Sequence, residues 1–192
     1  MKTIFKKFYI RDPAVVAKGL LGKIIIRKLG NKLLLGKIVE TEAYYGKNDP
    51  ASRAFTTPKM AEQMWNEGGR TFIYMVHNSW LLNVVTGKKG IPSAVLIRAV
   101  EPLNNLELLK DHRKGKDGFL LANGPGKLTQ AFKITKEHHN IKVYGKKSDL
   151  IIASPPKKEH LPIIRAHRIG VSKDLKRKLR FFIKDNKWVS KK

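Results

Sequence analysis

Two carboxylates precede two aromatic rings within residues 36–49, in a chain that is otherwise rich in basic residues. Glu40 and Glu42 are followed closely by Tyr44 and Tyr45. Neighbouring carboxylates can handle a proton, because like charges raise the pKa of at least one of the pair. Aromatic rings hold flat ligands by stacking. The stretch therefore suggests a site that binds a flat substrate and transfers a proton or activates a water molecule.

The two carboxylates are expected to share one face of a β-strand. If residues 37–42 are extended, Glu40 and Glu42 point to the same side, because side chains alternate along a strand. Repulsion and partial burial would then favour a general base or acid. Ion pairing of both to the abundant cations is the alternative interpretation. Arg98, embedded in a later apolar run, needs an anionic partner, and both carboxylates are candidates.

A second informative stretch, residues 123–132, is a glycine-rich loop that leads into a predicted helix. Exposed N–H groups, the helix dipole and Lys127 in the first turn would together bind a phosphate group. The spacing of a Walker loop is absent. A purely structural turn explains the same residues equally well at this point.

The composition favours a nucleic-acid partner. The 40 Lys and Arg residues exceed the 15 Asp and Glu residues, which gives a formal charge of +25 spread along the chain. Anionic membrane would also attract this charge, but no apolar run approaches the ~20 residues of a spanning helix. The N-terminus lacks the apolar core of a signal peptide. We therefore expect a polyanion, and no membrane, as the partner.

The chain contains no cysteine. This excludes a disulfide scaffold, an iron–sulfur cluster, a cysteine-ligated zinc and a thiol nucleophile, and it makes an intracellular location the default expectation. The histidines include the adjacent pair His138 and His139, but no triad has metal-ligand spacing. Metal catalysis is therefore not expected.

Elements that would position these residues are visible in the apolar pattern. Asp12 and Pro13 predict the start of a helix, and Gly30 and Asn31 predict a tight reversal between two strands. Asn83 is a polar amide in an apolar strand and must find hydrogen-bond partners or line a cleft. Further strands are predicted at residues 71–76, 80–85, 93–100, 150–153, 163–168 and 179–183, with residues 77–79 as a hairpin tip. Further helices are predicted from Thr57-Pro58 to Gly68-Gly69 and over residues 103–113.

Five blocks of the sequence resemble the alkyladenine (3-methyladenine) DNA glycosylase family, in the same order and at suitable distances. They comprise residues 36–46, 82–86, 94–103, 123–131 and 168–171. The similarity extends from about Asp12 to Trp188. It implies a single α+β domain over residues 1–192, built on a curved, mainly antiparallel β-sheet with peripheral helices, and neither a metal nor an organic cofactor.

The resemblance also implies an activity. A monofunctional glycosylase of this kind flips an alkylated or deaminated purine out of double-stranded DNA, hydrolyses the N-glycosidic bond and leaves an abasic site. Glu42 would be the general base that activates the attacking water. Arg98 and the main-chain carbonyl of Val171 would help to hold that water. Tyr44 and Tyr74 would stack on the two faces of the base.

Other residues would contact the base edge or the DNA backbone. By resemblance, Asn83 lines the pocket and excludes the amino group of normal guanine, and Lys127 contacts a backbone phosphate. Arg168 and Lys178 belong to the densest basic run of the C-terminal third, and we expect them to contact DNA as well. A solvated basic face would show the same composition.

The chain departs from the family pattern at two places. Arg53 stands where the family commonly has a pocket histidine, so a main-chain contact to the base is retained while stacking and lesion preference change. The hairpin that normally carries an intercalating tyrosine is shorter by a residue. His77 or Asn78 would fill the gap left by the flipped nucleotide, and the ring of His77 makes it the better candidate.

Two other activities are compatible with parts of the sequence. A non-catalytic nucleic-acid-binding protein would use the same charge and aromatic residues, but it needs no paired carboxylates. A bifunctional glycosylase would add strand cleavage through one of the many lysines. For base excision we expect a monomer that acts where the cell keeps its DNA.

Overall fold

A computed structural model describes residues 1–145, 148–157 and 159–191 of the chain. These residues form a curled antiparallel sheet of nine strands, accompanied by four α-helices. The strands are β1 (Lys2–Thr3), β2 (Ile24–Leu29), β3 (Lys32–Tyr44), β4 (Thr71–Val76), β5 (Ser79–Val85), β6 (Ala94–Pro102), β7 (Leu150–Ser154), β8 (Ile163–Ala166) and β9 (Arg180–Ile183). The α-helices are α1 (Pro13–Leu20), α2 (Arg53–Thr56), α3 (Leu106–His112) and α4 (Pro125–Ala131). The predicted α+β class with a mainly antiparallel sheet is confirmed.

Strand β3 is the element around which the sheet is built. The order of the main path is β1-β7-β2-β3-β6-β5-β4, and β9 adds to β3 while β8 adds to β9. The first half of β3 pairs with β2, and its second half lies between β6 and β9. Glu40 and Glu42 fall in that second half, where the pairing with β6 is irregular on either side of Glu40. Both carboxylates are consequently fully buried.

Helix α1 packs against this half of the sheet. Its first turn is capped by Asp12, whose carboxylate accepts the N–H groups of Ala14 and Val15 at 2.8 and 3.2 Å, and proline at the first helical position needs no N–H partner. Thr41 of β3 donates its hydroxyl hydrogen to the carbonyl oxygen of Ala17 at 3.0 Å. The hydrogen bond fixes the position of β3 along α1. The predicted start of this helix is confirmed.

The hairpin of β4 and β5 turns on two residues. His77 and Asn78 both have left-handed backbone angles, φ 43° and 61°, as a two-residue turn that follows the strand twist requires. Ser79, predicted to belong to the tip, is the first residue of β5. Helix α4 approaches β5 so closely that a Cβ atom on Gly126 would lie 2.6 Å from the Cβ atom of Ser79. The hairpin is therefore held at a fixed distance from the glycine-rich loop.

The helix predicted to start at Thr57-Pro58 is wrong. The chain instead forms α2, which Ser52 caps by accepting the N–H of Ala54 at 3.2 Å. Thr57 leaves helical geometry, because the ring of Pro58 clashes with a helical residue before it. A 3₁₀ turn, Glu62–Trp65, follows. Pro58 thus marks the end of a helix and not its beginning. Helix α2 places its first residue, Arg53, at the edge of the sheet.

The other helix predictions differ only in length. Helix α3 begins three residues later than predicted, after Asn105 in a left-handed conformation. Helix α4 begins directly after the glycine-rich loop, as predicted. Within the described ranges no helix has both the length and the apolar character needed to cross a membrane.

Candidate active site

A cleft of about 590 Å³ opens beside the second half of β3. Its walls include the end of β3, the hairpin of β4 and β5, helix α2, strand β6, the start of α4, and a loop near residue 170. The side chains that the later argument uses are Tyr44, Arg53, Tyr74, His77, Arg98, Lys127 and Val171. Residues predicted from distant parts of the sequence are thus brought together in one place.

Glu42 is held at the buried end of this cleft by three donors. The hydroxyl of Tyr44 donates to Oε2 at 2.8 Å, and the main-chain N–H of Ile169 donates to Oε1 at 2.8 Å. Arg98 Nη1 donates to Oε2 at 3.3 Å. Tyr44, Arg98 and Ile169 themselves line the cleft. The carboxylate is therefore fixed in orientation by groups that a ligand in the cleft would also touch.

Burial raises the pKa of Glu42 above its ordinary value. The positive charge of Arg98 and the hydrogen bonds from Ile169 and Tyr44 act in the opposite direction but do not cancel it. Burial and the adjacent carboxylate likewise hold the pKa of Tyr44 well above 10, so its hydroxyl keeps the proton that it donates. A carboxylate that is desolvated in this way is a better proton acceptor than one in water.

Glu40 has a different environment, although it shares a strand face with Glu42. Its Oε1 accepts a hydrogen bond from Arg180 Nη1 at 2.8 Å, and its Oε2 accepts the N–H of Ser190 at 2.8 Å. Arg98 Nε lies 3.4 Å from Oε1, so one guanidinium touches both carboxylates. Arg98 as their common partner is confirmed. Of the partners of Glu40 only Arg98 lines the cleft, whereas all three donors to Glu42 line it, which fits a supporting role for Glu40.

The aromatic walls of the cleft are each covered by a guanidinium. Arg168 lies over the ring of Tyr44, with 4.6 Å between the guanidinium carbon and the ring centroid. Arg53 lies over the ring of Tyr74 at 5.0 Å. Asn83 lies beside both rings in a small cavity, where its Nδ2 donates to the carbonyl oxygen of Phe72 at 3.1 Å. Strand β4, which pairs with β5, therefore orients the amide of Asn83.

The prediction that Arg168 contacts DNA is wrong, because its side chain is fully buried and saturated with partners. Its Nη1 and Nη2 each donate to Asp49 at 2.7 Å, and Nη2 and Nε donate to Asp174 at 2.6 and 2.9 Å. Burial alone would lower its pKa, but the hydrogen bonds that it donates to both carboxylates raise it, so the group stays charged. The guanidinium is thus occupied by the two carboxylates beside the ring of Tyr44.

Asp49 was missed by the sequence analysis, although it connects several parts of the site. Besides its two bonds to Arg168, it accepts the N–H of Tyr45 at 2.9 Å and the N–H of Ala51 at 3.1 Å. It thus fixes the chain between Tyr44 and α2. An aspartate before a proline with a helix cap two residues later is a turn signal, and it was available in the sequence. The hydrogen bond from the main-chain N–H of Ile169 to Glu42, in contrast, could not be predicted from the sequence, because it does not depend on the type of side chain.

The predicted DNA contacts lie in different places. His77 and Asn78 are exposed at the hairpin tip, and of the two only His77 lines the cleft. Lys127 also lines it and donates to Asn123 Oδ1 at 2.8 Å. Lys178 is exposed outside the cleft, between the loop of Arg168 and β9. The described residues contain no cluster of His, Asp or Glu side chains that could hold a metal ion.

Comparisons with known proteins agree with this geometry. Residues 7–187 match a family model described as methylpurine-DNA glycosylase. Relatives named "putative 3-methyladenine DNA glycosylase" include one from Clostridium novyi, which is 41% identical over the full length of both chains. One from Carboxydothermus hydrogenoformans is 40% identical over 97% of this chain and 98% of its own. One from Francisella tularensis is 38% identical over 92% of each chain.

Proposed function

Because the chain belongs to the methylpurine-DNA glycosylase family, we propose that its cleft removes both alkylated and deaminated purines from double-stranded DNA, with Glu42 as the general base. The observation that carries the proposal is the environment of Glu42. It is a buried carboxylate with a raised pKa, hydrogen-bonded to the aromatic wall residue Tyr44 and held by donors that line the cleft. A generic nucleic-acid-binding surface needs no such group.

The reaction proceeds by attack of one water molecule on the sugar. Glu42 takes a proton from the water as its oxygen bonds to C1′, and the base leaves with the electron pair of the N-glycosidic bond. The products are an abasic sugar and the free base, which is neutral when it leaves from a cationic 7-methylguanine and takes up a proton from solvent when it leaves from hypoxanthine. Arg98 and the main-chain carbonyl of Val171 hold the water on either side, which accounts for their presence in the same cleft as Glu42. The reaction needs no metal.

The base reaches this cleft by leaving the duplex. Tyr44 and Tyr74 stack on its two faces, and stacking of this kind contributes about 1–3 kcal/mol per base. Asn83 disfavours the amino group at C2 of normal guanine, whereas 7-methylguanine, which carries the same group, is released because its positive charge makes it a good leaving group. His77 fills the gap that the flipped nucleotide leaves in the duplex, with Asn78 beside it at the hairpin tip. Lys127 and Lys178 bind backbone phosphates. One chain supplies every group of the cleft, so a monomer suffices.

A panel of duplexes, each with one modified base, tests the proposal. We expect base release from DNA with 7-methylguanine, hypoxanthine or ethenoadenine, detected as strand cleavage only after alkali treatment. The unmodified duplex should stay intact. Borohydride should trap no covalent complex, since a water molecule and not a lysine is the nucleophile. Binding without release on all three lesions would contradict the proposal.

The pH dependence of release from 7-methylguanine DNA should have a single acidic limb. The base form of Glu42 is required, and its pKa is raised, so the rate should fall as pH decreases, with a midpoint above the ordinary carboxylate value. A cationic base leaves without protonation, so no alkaline limb is expected. Single-turnover rates between pH 4.5 and 9 measure both features. A midpoint at or below that of an exposed glutamate would contradict the role of Glu42.

A further inference from the structure

Arg53 is the unusual cation of the base cleft. Within residues 1–145, 148–157 and 159–191, its side chain has no carboxylate within salt-bridge distance. Its contact is with Tyr74, where the guanidinium lowers the pKa of the phenol against the larger effect of burial. The other two guanidiniums near the aromatic walls are neutralised: Arg98 contacts two carboxylates, and so does Arg168. Arg53 therefore brings to this wall a positive charge that no carboxylate neutralises, together with N–H donors beyond the one that contacts Tyr74.

The position of Arg53 is fixed by its surroundings. It is the first residue of α2, whose cap is the fully buried Ser52. Asp49 holds the preceding turn through the N–H of Ala51. The guanidinium lies over the ring of Tyr74 and lines both the cleft and the small cavity beside Asn83. A base stacked on Tyr74 would thus have the guanidinium as a direct neighbour.

We propose that Arg53 determines which damaged purines the cleft prefers: it favours neutral deaminated purines, which carry acceptors at O6 and N7, over purines that methylation has made cationic. This inference rests on the proposed function and assigns its substrate class. The side chain touches the base and takes no part in water activation, so its effect is on selection among lesions.

Two physical effects act in the same direction. A guanidinium fork pairs with neighbouring O6 and N7 acceptors, which is the commonest specific arginine contact to a purine edge. Like charges repel strongly in a desolvated site, so a cationic 7-methylguanine is disfavoured next to Arg53. Normal adenine presents an N6 donor where the fork also donates, and normal guanine is excluded at C2 by Asn83. Arg53 therefore separates hypoxanthine from adenine as well as from methylated bases.

The test compares single-turnover excision of hypoxanthine and of 7-methylguanine, each in the same duplex sequence. Arg53→Met removes the charge and keeps an unbranched side chain of comparable length. We expect its rate on hypoxanthine to fall about tenfold, the discrimination that one bidentate contact provides. Its rate on 7-methylguanine should stay level or rise. Arg53→Lys should keep the repulsion of 7-methylguanine but lose most of the preference for hypoxanthine, because lysine lacks the planar fork.

A matched control is available in Arg11, which lies over the ring of Phe8 at 4.3 Å, outside the cleft. Arg11→Met should leave the ratio of the two rates unchanged. If Arg53→Met lowers both rates by the same factor, or leaves the ratio at the parent value, Arg53 is only structural and the inference is overturned. If the parent protein releases neither base, the proposed function fails first, and that result is seen without any variant.

Discussion

Replacing Glu42 with glutamine is expected to lower the single-turnover rate of base release by about 100- to 10,000-fold, the usual contribution of a general base. Glutamine has the shape of glutamate, and its one oxygen can still accept from the N–H of Ile169, while its amide group takes the place of the oxygen that Arg98 and Tyr44 contact. The amide cannot take a proton from water. The variant should therefore bind DNA with an abasic-site analogue as the parent does, while excision of 7-methylguanine and hypoxanthine is lost.

Two measurements separate loss of catalysis from loss of structure in the Glu42→Gln variant. Its denaturation midpoint should fall only modestly, because burial already disfavours the charged form of Glu42 and Arg98 keeps Glu40 as a counter-charge. Tyr44→Phe is the matched control, since it removes one donor to the carboxylate and leaves the proton acceptor in place. It should lose far less activity. If Glu42→Gln releases bases at the parent's rate, another residue is the base.

Local sequence patterns were sufficient where the determining interactions are themselves local. Period two along β3 places Glu40 and Glu42 on one face, and the structure confirms this because Arg98 reaches both. The hairpin tip followed from the polar break between two apolar runs. The cap formed by Asp12 specified the start of α1. In each case neighbouring residues decide the conformation, and distant contacts do not override them.

Ion pairs between residues far apart in the chain could not be predicted from the sequence. Arg168 and Arg180 stand in a basic run whose other members are exposed, and nothing local marks these two as buried. Their partners, Asp49 and Glu40, lie 119 and 140 residues away along the chain. The burial of Arg180 depends on β9 joining β3, a pairing that only the complete sheet defines.

The pair formed by Asp49 and Arg168 should contribute more to stability than any exposed ion pair of the chain. Both side chains are fully buried, and two hydrogen bonds of 2.7 Å join them. In Asp49→Asn, an NH₂ group replaces one carboxylate oxygen. It cannot accept the hydrogen bonds that this oxygen accepted, and its own hydrogens point at the same donors. Arg168 keeps Asp174 but loses its second counter-charge. We expect the free energy of unfolding to fall by roughly 3–5 kcal/mol, the cost of breaking a buried pair on one side.

Activity should respond to the same change, because Asp49 also accepts the N–H of Tyr45, which follows Tyr44 in the chain, and the N–H of Ala51, which lines the cleft. Urea denaturation and single-turnover excision, measured below the midpoint of the variant, report the two effects separately. Glu67→Gln is the control: it breaks the exposed pair with Lys6 and should change neither quantity appreciably. If Asp49→Asn loses stability but excises at the parent's rate, the pair supports the fold without positioning Tyr44. Equal stability of parent and variant would show that Asp174 alone satisfies the buried guanidinium.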